Sequence, residues 1–144
     1  MKIERMKGSD LDQIMIIEEL SFPIPWEISF FENDLRRESA YCYVVKENDL
    51  VLGYTDAWHI ADEMHLANIA VAPNYRQLGI GSKLLEKIVN DAKENKCKKI
   101  FLEARVSNLT AQKFYEKYGF KAIYARKKYY PDGEDAIVFE KQLL

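Results

Sequence analysis

Ile69-Ala70-Val71-Ala72-Pro73-Asn74-Tyr75-Arg76-Gln77-Leu78-Gly79-Ile80-Gly81-Ser82 lies in the middle of the chain, and its reading decides the fold. An apolar strand stops at Pro73, a glycine-bearing loop follows, and an amphipathic helix begins. Glycine lets the backbone turn tightly and approach a ligand with no side chain in the way. The first N–H groups of a helix have no intrahelical acceptor and point at whatever lies above them. Pyrophosphate is the usual guest, so the run points to a nucleotide-like cofactor. A plain strand-to-helix connection that happens to contain two glycines is the competing reading. The spacing is not G-x-G-x-x-G, and no Lys-Ser/Thr follows the last glycine, which argues against a dinucleotide fold and a P-loop. Arg76 and Lys83 are candidates to add charge at the phosphates.

Working outward, Ser82–Lys96 reads as the strongest helix. Leu84, Leu85, Ile88, Val89 and Ala92 form its apolar stripe, and Lys83, Lys87, Asp91 and Lys93 are expected to face water. Upstream, Tyr41–Lys46, Leu50–Ile60 and Met64–Val71 read as strands, joined by turns at Glu47-Asn48-Asp49 and Ala61-Asp62-Glu63. Such a meander is antiparallel. Ile3–Lys7 is a short strand. Ser9 reads as the cap of a helix carrying Leu11, Ile14 and Met15 inward, broken by Phe22-Pro23-Ile24-Pro25. A second helix is expected from about Trp26 to Arg37. Downstream, Lys99–Val106 is a strand and Asn108 caps a helix to about Tyr118. Gly119 stands at the left-handed C′ position, and Phe120–Ala125 and Asp135–Gln142 are the last strands. The order β-α-α-β-β-β-α-β-α-β-β predicts an α/β fold with a mixed, mostly antiparallel sheet of about seven strands flanked by four helices.

The 144 residues suit one domain with a substantial core, and 48% hydrophobic with 31% charged residues fits a globular protein. Basic and acidic residues number 21 and 23, for a net charge of −2, which argues against a nucleic-acid binder with a broad basic face. The two cysteines, Cys42 and Cys97, match no disulfide framework or metal cluster and are expected to be reduced thiols. No charged leader precedes an apolar core, and no apolar run reaches the ~18–20 residues of a membrane span, so a cytoplasmic protein without membrane partners is expected.

Glu103 interrupts the apolar strand Ile100-Phe101-Leu102-Glu103-Ala104-Arg105-Val106. A carboxylate there is costly unless paired or set in a cleft. By alternation it shares a face with Phe101 and Arg105. It is either a structural ion-pair partner or a general base. Phe114, Tyr115 and Tyr118 recur near helical spacing. Phe114 and Tyr118 read as core, whereas the Tyr115 phenol is a possible general acid. Asn108 is a cap that could also touch a ligand. His59 and His65 show no metal-ligand spacing. His65, on the strand leading into the glycine loop, is a polar strand residue or a substrate contact. No G-x-S-x-G run or nucleophilic triad is present.

The chain resembles the GCN5-related N-acetyltransferases across nearly its whole length, and within them the N-terminal α-amino acetyltransferases of the bacterial ribosomal-protein-alanine type and their archaeal relatives. The residues that carry the resemblance are Asn68–Val71, Arg76–Gly81, Leu102–Arg105, Ser107-Asn108, Phe114–Phe120 and Tyr129–Ala136. It implies one N-acetyltransferase domain over residues 1–144, with acetyl-CoA as donor and CoA as product. Backbone groups of Ile69, Ala70 and Val71 would hold the pantetheine arm. Arg76, Gln77, Leu78, Gly79, Ile80, Gly81 and Ser82 would form the pyrophosphate site, and Asn108 would touch the cofactor. Glu103 matches the family's general base and Tyr115 its general acid. Phe22, Pro25 and Trp26 on one side, and Tyr129, Tyr130 and Asp135 on the other, match the walls of a peptide cleft. The acceptor implied is a protein N-terminus, such as that of ribosomal protein S18, with a lysine or small amine as the rival acceptor and a non-catalytic acyl-CoA-binding module as the rival class. His65 departs from the bacterial type, which carries a small or hydroxyl residue there. The chemistry suits an α-amine: its pKa of about 8 lies ~2.5 units below that of lysine, about 3.4 kcal/mol less to reach the attacking neutral form.

Overall fold

The computed structural model describes residues 1–143. Strand β1 (Lys2–Arg5) leads through a single 3-10 turn into α1 (Leu11–Ser21) and α2 (Ile28–Leu35). The meander β2 (Ala40–Glu47), β3 (Leu50–Ile60) and β4 (Glu63–Val71) follows, then α3 (Ile80–Glu94), β5 (Lys99–Arg105), α4 (Leu109–Lys117), β6 (Lys121–Arg126) and β7 (Ala136–Gln142). The predicted element order holds throughout. One seven-stranded sheet runs β1-β2-β3-β4-β5-β7-β6, antiparallel except where β4 meets β5.

Side chains alternate across this sheet and give it two apolar faces. Leu84, Leu85 and Ile88 of α3 pack with Tyr43, Val45, Leu66 and Ile100 on one face. On the other, Ile14 and Ile17 of α1 and Phe31 of α2 pack with Val44, Val51 and Tyr54. No helix among the described residues is long and apolar enough to cross a membrane. Cys42 and Cys97 are both free and buried.

Several local expectations are corrected. Ser9 does not cap α1; the Asp10 carboxylate accepts the Lys7 N–H at 2.9 Å across the preceding turn. The buried face of α1 is Leu11, Ile14, Ile17 and Glu18, with Met15 only half-buried. Helix α2 is shorter than Trp26–Arg37: Glu27 is extended and caps it, and the Trp26 N–H before it donates to Glu18 at 2.9 Å. Asp91 is buried, not solvated: it accepts from the Tyr43 hydroxyl, and from Lys87 at 3.2 Å.

The β3–β4 register slips between Asp56 and Ala57, leaving Ala67 as an extra residue on β4. Asp56 is fully buried there and accepts from the Cys42 thiol at 3.4 Å. Burial, and then the neighbouring Asp34 carboxylate, push its pKa up to about 9. The folded state therefore holds this proton over a range where the unfolded chain has lost it. The associated stability is complete below about pH 4 and is lost as pH rises towards 9. Asp56→Asn should flatten this slope and be more stable than wild type at pH 8, on the order of 2 kcal/mol, in urea titrations run from pH 5 to 9.

Candidate active site

Strand β4 leaves its neighbour partway along. Only Glu63, Met64 and His65 pair with β5, opposite Lys99, Ile100 and Phe101. Beyond His65 the two strands diverge, although β4 stays paired to β3 and β5 to β7. Residues Leu66–Ala70 thus have a strand on one side and none on the other. Backbone polar groups seek partners, so this edge can take a ligand lying alongside as an added strand. The extra residue Ala67 sits at the point of divergence, as bulges beside functional sites often do.

At the far end of that edge stands the glycine loop. Gln77 and Gly79 adopt positive φ, 63° and 83°, and Gly79 precedes the first turn of α3 with no side chain capping it. A Cβ added at Gly79 would meet nothing within 4 Å, so the space above this turn is open. Gly81 lies against α4, where a Cβ would touch the Phe114 ring at 3.5 Å. Arg76 is committed to structure: its Nε donates to the Val71 carbonyl at 3.1 Å, and its guanidinium reaches the Ser21 hydroxyl at 3.3 Å. Ser82 pairs with the Tyr118 hydroxyl. Ile80 is buried in the core, whereas Leu78 is exposed.

The gap between β4 and β5 opens into a cleft of about 630 Å³. Its floor includes Leu66–Ile69, Glu103–Arg105, Ala111 and Tyr115 of α4, and Asn108 at the cap of that helix. Phe22, Pro25 and Trp26 line one side, and Tyr129 and Tyr130 the other, so five of the six expected wall residues share one cleft. Asp135 does not line it; its carboxylate accepts the Lys128 N–H at 2.8 Å and holds the turn. Ala70, Val71 and Arg76–Ser82 lie off the cleft, further along β4 and its exit. Asn108 lines it while its Oδ1 accepts the Ala111 N–H at 3.1 Å, so it is both cap and lining residue.

Glu103 is half-buried, and its Oε1 lies 2.7 Å from His65 Nε2. With the carboxylate ionised, the imidazole is the donor and Nε2 carries the hydrogen. The ring is fixed by stacking on Phe101 (4.4 Å between centroids, 3° between planes) and by the edge-to-face Trp58 at 5.1 Å. The other oxygen, Oε2, lies 3.9 Å from the Arg126 guanidinium. Tyr115 is 7% exposed. It packs against Phe114, Phe120 and Phe139, and burial, with the Tyr130 phenol nearby, pushes its pKa above the ordinary value. It therefore keeps its proton at neutral pH.

The residues that sequence reasoning missed are those that hold the walls. Arg105 ion-pairs Asp132 at 2.8 Å and Glu134 at 2.7 Å, and its guanidinium lies 4.1 Å from the centre of the Tyr130 ring. The Ser107 hydroxyl, Arg105 and the Ser107 N–H together hold the Glu134 carboxyl down at about 2. On the other side Trp26 stacks near Trp58 at 6.3 Å, and the Trp58 indole N–H donates to Asp34 at 2.8 Å. The pairing of His65 with Glu103 depends on register across two strands 38 residues apart, for which the sequence carries no signal.

A family model described as "Acetyltransferase (GNAT) family" matches residues 11–120. An N-alpha-acetyltransferase of Sulfurisphaera tokodaii is 33% identical over 155 aligned residues, covering 99% of this chain and 93% of the relative. The [ribosomal protein bS18]-alanine N-acetyltransferase of Haemophilus influenzae is 32% identical, covering 90% and 87%. Among solved structures, the ribosomal-protein-S18-alanine N-acetyltransferase from Escherichia coli superposes with a TM-score of 0.88 at 30% identity, covering 98% of this chain and 92% of that one.

Proposed function

The chain belongs to the acetyltransferase (GNAT) family, and on that premise we propose that it acetylates the N-terminal α-amine of a protein chain, the ribosomal protein named for its bacterial relatives being one acceptor to test. Acetyl-CoA is the donor of this family. Its elongated shape, with a diphosphate at one end, suits the free edge of β4 ending in an uncapped helix start with open space above Gly79. In this reading Ile69 and Ala70 offer backbone groups to the pantetheine arm, with Val71 beside them. The amides of Gln77–Ser82 hold the diphosphate, and Arg76 braces the end of the rail. When bound, the group supplies an acetyl thioester, which is activated towards amines.

The observation that carries the reading is that Glu103 and Tyr115 line the same cleft as the free β4 edge, between two aromatic walls. An α-amine must lose a proton before it attacks. Glu103 takes that proton at Oε2, directly or through one water, while His65 holds Oε1 and orients the carboxylate. Tyr115, protonated at neutral pH as any phenol is, holds a proton at its hydroxyl for the leaving group. The walls, Phe22, Pro25 and Trp26 facing Tyr129 and Tyr130, admit an extended chain end.

Mass spectrometry of peptides incubated with the enzyme and acetyl-CoA tests this reading. Peptides differing in the first residue, the N-terminal sequence of bS18 among them, should gain one acetyl group on the α-amine. Versions blocked at the α-amine but carrying a free lysine should gain none. Acetylation of the lysine alone, or cofactor binding without transfer to any peptide, overturns the proposal.

A further inference from the structure

Glu18 stands on the buried face of α1 and is 1% exposed, yet it lines the cleft. Its Oε1 accepts from the Tyr54 hydroxyl at 2.6 Å and from Asn68 Nδ2 at 2.9 Å. Its Oε2 accepts the Trp26 backbone N–H at 2.9 Å. No Lys, Arg or His among the described residues forms an ion pair with it. A buried carboxylate without a cation is costly unless several donors compensate it. An apolar residue there would leave three donors without their acceptor, so the carboxylate serves as their common partner.

The three donors come from three separate elements: Tyr54 from β3, Asn68 from β4 beside its extra residue, and Trp26 from the loop between α1 and α2. The carboxylate thus ties one wall of the cleft to the strand that carries the free edge. Trp26, once held, stacks near Trp58, and Trp58 in turn abuts the His65 ring that fixes Glu103.

We propose that Glu18 is a positioning residue, setting the Trp26–Trp58 wall at the distance from β4 that the acceptor peptide requires. This rests on the reading of the cleft as an acceptor site. The role predicts a specific kinetic signature. Glu18→Gln keeps the shape, but its amide nitrogen cannot accept hydrogen bonds from Trp26, Tyr54 and Asn68 together. The acceptor KM should rise roughly tenfold, as expected for loss of one hydrogen bond to a charged group. The KM for acetyl-CoA and kcat should stay within about threefold of wild type, because Glu18 bonds the Asn68 side chain and not the β4 backbone, and makes no hydrogen bond to Glu103. The pH profile of kcat should not move.

The wall carries its own reporter, since Trp26 and Trp58 are the only 2 tryptophans in the chain. Their emission should shift to the red in Glu18→Gln and should no longer change when peptide is added. Tyr54→Phe, which leaves the carboxylate and removes one donor, should move the acceptor KM the same way by a smaller factor, and it decides the matter if Glu18→Gln does not fold. An unchanged acceptor KM overturns the inference, as does a fall of kcat and a rise of both KM values in proportion to lost thermal stability. If wild type acetylates no α-amine, the functional reading fails instead. In that case the emission and acetyl-CoA binding of the variants still report whether Glu18 holds the wall.

Discussion

Glu103→Gln should lower kcat for an N-terminal peptide by about 10²–10⁴-fold at pH 7, the usual span for removing a general base. The substitution keeps the shape and the contact with His65, which lies 2.7 Å away, but removes the group proposed to accept the amine's proton. The loss should depend on pH in a definite direction. At pH 6–7 most of an α-amine of pKa about 8 is protonated and needs the base, so the deficit is largest there. Above pH 9 the amine deprotonates unaided, and the deficit should shrink. The KM for acetyl-CoA should hardly move, since Glu103 lies in the cleft and not beside residues 76–82. Tyr115→Phe, measured alongside, should cost about tenfold or more in kcat with no such recovery at high pH. A Glu103→Gln enzyme within threefold of wild type across pH 6–9 would show that another group takes the proton.

Gly53→Val should be among the most damaging single changes away from the cleft. Gly53 lies in β3 opposite Val71, where a Cβ would stand 2.9 Å from Ile80 Cγ2, 3.0 Å from the Ala70 carbonyl oxygen and 3.4 Å from Leu84 Cδ1. Ile80 opens α3, and Ala70 belongs to the free-edge segment of β4, so the bare glycine lets the helix start sit close above the strand. A valine drives the two apart. Overpacking of this kind costs about 1–3 kcal/mol, and the backbone carbonyl among the neighbours places this case at about 3 kcal/mol or more. Thermal melting should fall by roughly 8–10 °C, and the acetyl-CoA Kd should rise at least about tenfold because the proposed diphosphate site is at the start of α3. A variant with wild-type melting and donor affinity would mean that α3 tolerates the displacement.

The parts of the fold that were legible are those set by local periodicity. Alternation over Lys99–Arg105, the stripe Leu84, Leu85 and Ile88, and breakers such as Pro73 and Gly119 give the element order without reference to distant residues. The ends of elements were less legible where a distant group decides them. Helix α2 starts only at Ile28, after an extended Glu27, and α3 starts at Ile80, after Gly79 at φ 83°. Asp91 looked solvated because its partner, the Tyr43 hydroxyl, lies 48 residues away. Of the candidate site residues, Glu103 stood out as a carboxylate in an apolar strand and Tyr115 as an aromatic beside core positions. Asp135 stood out too, yet its side chain serves its own turn.

By itself, then, the chain's order of apolar and turn-forming residues determined an α/β sheet with a glycine loop at the start of a helix, because such patterns act over a few residues. The tertiary structure alone decided that β4 parts from β5 after His65, that β7 inserts between β5 and β6, and that His65 meets Glu103. It also decided that Glu18 and Arg105 brace opposite walls of one cleft. Those features depend on strand register and on side chains converging from separate elements, and short-range spacing holds no record of either.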